Sequence, residues 1–74
     1  MQRFLVVIEP TTTGYSGYSA YSPDLFGCVA TGASRTEVER TMREAIEFHL
    51  EGLRAEGQPI PPGGTSATYV EVAA

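Results

Sequence analysis

Residues 34–56 decide most of what this chain can become. They read as one amphipathic helix, the only long helix the sequence supports. The start is marked by Ser34-Arg35-Thr36-Glu37, an S-x-x-E capping box. The Ser34 hydroxyl can accept from the N–H of Glu37, and the Glu37 carboxylate can reach back to the N–H of Ser34. The end is marked by Gly57, then by Pro59, Pro61 and Pro62, none of which continues a helix easily. Between them Val38, Met42, Ala45, Ile46, Leu50 and Leu53 recur at helical spacing and form one apolar face. Glu39, Arg40, Arg43, Glu44, Glu47, Glu51 and Arg54 form the opposite face. A helix of this kind must be covered on one side, and the rest of the chain has to supply the cover.

Little else is available to hold the fold. The 74 residues allow one domain, 1–74. A chain this short buries only roughly 60% of the surface its unfolded form exposes. A single cysteine, Cys28, excludes an internal disulfide. One Cys and one His provide no metal-ligand spacing, so no metal and no cofactor is expected. Without such staples, a homo-oligomer, dimer or higher, is the expected route to further burial. The apolar run at residues 4–8 is too short for a signal peptide and meets Glu9, and no stretch has transmembrane length. A cytoplasmic protein with no membrane partner is expected. Five Arg, no Lys and nine acids give a net charge of −4, which argues against direct nucleic-acid binding and for a basic protein partner.

Taken in order, the chain offers strands on either side of the helix. Residues 3–8 contain Phe4-Leu5-Val6-Val7-Ile8, short, β-branched in part and apolar on both faces, which reads as a strand. Residues 10–14 carry turn chemistry, and residues 17–22 read as a second strand, so the two form a hairpin. Pro23-Asp24-Leu25-Phe26-Gly27 makes a turn in which Gly27 can take a positive φ. Residues 28–31 read as a third strand. After the helix comes a Pro/Gly loop at 57–64 and then a fourth strand at 67–72, with Thr68, Val70 and Val72 on one side and Tyr69 and Glu71 on the other. This last strand is free to join the same sheet or that of another subunit. The simplest assembly is an α+β domain, βββαβ, with an antiparallel sheet and the helix on one face.

The run Tyr21-Ser22-Pro23-Asp24-Leu25-Phe26-Gly27-Cys28 resembles the signature of the HicB-like antitoxin domain. The resemblance continues through Gly32, the helix segments Glu44-Ala45-Ile46 and His49-Leu50-Glu51, and the loop Gly57-Gln58-Pro59-Ile60-Pro61, covering residues 3–72. It implies a βββαβ domain similar to a truncated ribonuclease-H-like fold. It further implies neutralisation of a small HicA-like toxin, an mRNA-cleaving ribonuclease. Full-length members add a C-terminal DNA-binding module. This sequence stops two residues after Val72, so it resembles a short stand-alone member and operator binding is not carried over.

The side-chain chemistry favours binding over catalysis. A two-metal nuclease needs several converging carboxylates. Here Glu9 and Glu71 fall at strand ends or faces, and Asp24 sits where its side chain can accept from nearby turn N–H groups. Glu39 and Arg43 at i,i+4 suit a solvated helix face. His49 lies near the apolar face with no triad partner at local spacing, and reads as a packed histidine. Cys28 reads as a small buried hydrophobe. No enzyme is expected. Tyr15, Tyr18 and Tyr21 recur every three residues, and at least one should face an interface. Tyr18, Tyr21, Asp24 and Phe26 are the expected partner contacts. In that reading an acidic, aromatic surface docks a basic toxin and occludes its RNA-cleaving site. The alternative is an oligomeric structural or regulatory module without a toxin.

Overall fold

The structure is a computed structural model that describes residues 2–11 and 17–74. Tyr15, one of the three spaced tyrosines, lies outside the described residues. The elements are β1 (Val7–Pro10), β2 (Tyr18–Tyr21), β3 (Val29–Gly32) and α1 (Arg35–Ala55). The strands form one antiparallel sheet in the order β1-β2-β3, with the helix packed on one face, an α+β arrangement.

The helix begins and ends where its caps dictate. The Ser34 hydroxyl accepts from the N–H of Glu37 at 3.1 Å. The second half of the capping box is displaced by one residue: the Glu37 carboxylate accepts from the N–H of Ala33 at 3.2 Å instead of from Ser34. At the far end Gly57 has φ +70. Gln58 N–H donates to Leu53 carbonyl at 2.8 Å and Gly57 N–H to Arg54 carbonyl at 3.1 Å, the paired bonds of a Schellman motif. The Leu53 and Arg54 carbonyls, left open by the last turn, are therefore satisfied.

Strand alternation sorts the sheet into two faces. Ile8, Ala20 and Ala30 pair across the three strands on the side facing the helix. Val7, Tyr21 and Val29 pair across the opposite side. The buried core is Ala20, Leu25, Cys28, Val38 and Met42. Phe4, Val6, Ile8, Tyr18, Ile46 and Leu50 pack around it half-buried. Leu25 comes from the loop between β2 and β3, not from an element, yet only 1% of it is exposed.

Two expectations need correction. The first strand is shorter and later than the apolar run: pairing begins at Val7, because the partner strand ends at Tyr21 and the chain turns at Pro23. Residues 67–72 are not a strand of this sheet; they are exposed and unpaired. The chain is fastened just before them, and nothing between Ser66 and Ala74 is a Gly or Pro that would turn it back. Of the two placements left open for the fourth strand, pairing within its own subunit is not adopted.

Candidate functional site

The loop between β2 and β3 organises the surface. Its hydrogen bonds form a compact knot: Leu25 N–H to Ser22 carbonyl at 3.2 Å, Cys28 N–H to Leu25 carbonyl at 3.2 Å, and Ser22 N–H to Cys28 carbonyl at 3.3 Å. Gly27, at φ +87, supplies the positive angle that closes the second turn. The Ser22 hydroxyl, buried, donates to the Leu5 carbonyl at 2.9 Å and ties the loop to the chain entering β1. Leu25 points inward as a core plug. Phe26, its neighbour, is 99% exposed.

The four expected contact residues separate into two pairs. Tyr18 is half-buried and packs against the core on the helix side. Asp24 is half-buried and accepts from Thr65, from its N–H at 3.2 Å and from its hydroxyl. Its partner is therefore a residue 41 positions away and not the turn's own backbone. Tyr21 and Phe26 are exposed and free to meet another molecule.

Two depressions flank the helix, because α1 lies over β3 and β2 and leaves the inner face of β1 open. On the β3 side is a cleft of about 360 Å³ bounded by Val29, Ala45, Phe48, His49, Leu53 and Glu56. Phe48 is 79% exposed there, and Val29, the cross-strand neighbour of Tyr21, is also exposed. Phe26 directly precedes Gly27 on the rim of this cleft. Sequence reasoning did not single out Phe48 or Val29; an aromatic off the apolar helix stripe was the available signal for the first. On the β1 side is a groove of about 620 Å³, with Phe4, Val6 and Ile8 on one wall and Met42, Ile46 and Leu50 on the other. Arg35, Arg43 and Arg54 border it together with Glu39 and Glu47.

Among the described residues no three of His, Cys, Asp and Glu converge as metal ligands. Glu9 and Glu71 are both exposed. His49 is half-buried in the wall of the β3-side cleft. Cys28 is buried, with Sγ 4.0 Å from the Ala45 carbonyl, and burial pushes its thiol above the ordinary value. That is the opposite of what activates a thiol nucleophile. No helix of the described residues is long and apolar enough to cross a membrane.

The fold and its surface thus define a small α+β domain with two depressions of different charge. The family described as HicB_like antitoxin of bacterial toxin-antitoxin system matches residues 4–73. The chain belongs to this HicB-like antitoxin family. A UPF0150 protein of Synechocystis sp. is 40% identical over 59 residues, 80% of this chain and 72% of that protein. A UPF0150 protein of Helicobacter pylori is 46% identical over 41 residues, 55% of this chain and 57% of that protein. Among solved structures, a chain of a HicA3 and HicB3 toxin-antitoxin complex matches with a TM-score of 0.62 at 29% identity. The match covers 80% of this chain and 66% of that one.

Proposed function

We infer that this chain acts as an antitoxin by binding, docking a HicA-like ribonuclease toxin and occluding its RNA-cleaving site. The family membership and the likeness to a chain of a toxin-antitoxin complex support the reading. The observation that carries it is the exposure of large aromatics: Phe26 at the tip of the β2–β3 loop, Tyr21 on the sheet face away from the helix, and Phe48 on a cleft whose one carboxylate is Glu56 and which no Lys or Arg lines. Large aromatics exposed in this way are the usual anchors of protein interfaces. A net charge of −4 speeds encounter with a basic partner, and the aromatic anchors set the lifetime. In this reading Tyr21 and Phe26 touch the toxin. Tyr18 and Asp24 act from behind, Tyr18 by packing under the sheet and Asp24 by holding the loop that presents Phe26.

The test is co-expression with a HicA-like ribonuclease encoded beside this gene. The expected result is a stable complex and rescued growth. Phe26→Ala combined with Phe48→Ala should weaken binding about a hundredfold and abolish rescue while leaving the helix content unchanged. A chain that self-associates but ignores that toxin would remove the antitoxin reading for the pair.

A further inference from the structure

We propose that the β1-side groove is an interface between two copies of this chain, closed by antiparallel pairing of the α1 ridge Arg35, Glu39, Arg43 and Glu47 across a two-fold axis.

The ridge follows from helical spacing. Side chains four residues apart stack into one row along a helix surface. The helix wall of the groove is built of two such rows side by side. Met42, Ile46 and Leu50 form the inner row, Met42 within the core and the other two half-buried against it. Arg35, Glu39, Arg43 and Glu47 form the rim, and all four are exposed. Along the rim the sign of charge alternates at every step.

That alternation commits the rim to an occupant. Lay a second copy antiparallel, with the axis crossing the helix at the level of Thr41. Arg35 then meets Glu47 of the second copy, and Glu39 meets its Arg43. The symmetry repeats both contacts, so four opposite-charge pairs form and no like charges meet. Sliding one helix by a single turn sets Glu39 against Glu39, or Arg43 against Arg43. Laying the copies parallel and in step sets every charge against itself. One register satisfies the whole row, and a closed two-fold dimer supplies it.

The rest of the chain's charge points to the same place. A net charge of −4 opposes self-association over most of the surface. The rim carries two Arg and two Glu and is neutral. Glu37, Glu44 and Glu51, which lie on the same helix, do not line the groove. The β3-side cleft carries Glu56 and no Lys or Arg, so it has nothing to answer the acids of a second copy.

Behind the rim the groove supplies apolar contact. Phe4, Val6 and Ile8 stand on its opposite wall. In the paired register the stem of the incoming Arg35 lies along Ile46 and Leu50 while its guanidinium reaches Glu47. Arg suits this position, because its methylenes cover apolar surface and its head keeps a charged partner. The proposal is independent of the antitoxin reading: it uses the flank of α1 opposite Phe48, and its test contains no toxin.

Light scattering on the full chain should give a dimer. Raising NaCl from about 50 to about 500 mM should raise its dissociation constant about tenfold, a reading that needs no variant. Arg43→Glu places two like-charge contacts in the interface and should raise that constant at least about tenfold at low salt. Glu39→Arg should do the same with the opposite sign. Both positions are exposed, and circular dichroism should show the helix of each variant intact. The decisive sample is their mixture. There the two reversed positions face each other as opposite charges, so a heterodimer should form that neither variant makes as a homodimer. A monomer at high concentration, a dimer indifferent to salt or to Arg43→Glu, or a mixture without heterodimer would each overturn the proposal. None of these results would touch the antitoxin reading, which is decided by toxin binding through Phe26 and Phe48.

Discussion

The carboxylate of Asp24, in the loop after β2, is hydrogen-bonded to the backbone N–H and the hydroxyl of Thr65, 41 residues further along the chain. One side chain thus links the turn that opens β3 to the segment that follows the helix.

That link should be measurable as a coupling. Asp24→Ala and Thr65→Val each remove one partner, and the double variant completes the cycle. Both groups are partly open to water, so the coupling expected from urea unfolding is about 1 kcal/mol, not the larger figure of a buried charged bond. A coupling near zero would mean that the Thr65 hydroxyl bond contributes no stability.

Leu25 and Phe26 should respond in opposite ways to truncation. Leu25→Ala opens a cavity in the core and should cost about 2–4 kcal/mol. In a domain of this size each kcal/mol lowers Tm by about 4–8 °C, so the loss should be at least about 8 °C. Phe26→Ala removes a ring that water already surrounds and should change stability by less than about 0.5 kcal/mol. Thermal unfolding of the two variants under one condition checks both.

Cys28 should make stability fall at high pH. Burial raises its folded-state thiol above the ordinary value of 9.0. A group whose pKa is raised on folding stabilises the fold fully below its unfolded value, and that stabilisation is lost as pH rises through the folded value. Cys28→Ala lacks this titration. The advantage of the unaltered chain over Cys28→Ala, measured by urea unfolding, should therefore shrink between pH 8 and about pH 10. An advantage independent of pH would show that the thiol is not held neutral by the fold.

Much of this architecture is legible in the residues, and the reasons are local. Ser34, Glu37 and Gly57 act within a few positions of themselves, so the helix limits follow from spacing. The positive φ of Gly27 is equally local. The partner of Asp24 was not legible, because turn chemistry offered it nearby N–H groups while the structure supplies Thr65 from across the domain. Leu25 as a core residue was hidden for the same reason: a loop position has no periodicity to declare which way it points. Of the exposed apolar residues, Tyr21 and Phe26 were legible, and Val29 and Phe48 were missed. Val29 was missed because it lies on the sheet face turned away from α1, and which face the helix takes is set by the whole fold.

The loop from Ser22 to Cys28 places a core plug and a solvent-facing ring at adjacent positions, 1% and 99% exposed. Position 25 is answerable to the fold, and position 26 only to whatever meets the surface. Substitutions at 26 can accordingly be sampled freely, with little risk to folding, while the hydrogen-bonded knot beneath keeps presenting the new side chain at the same spot. A domain built this way can change the molecule it recognises without first solving its own structure again.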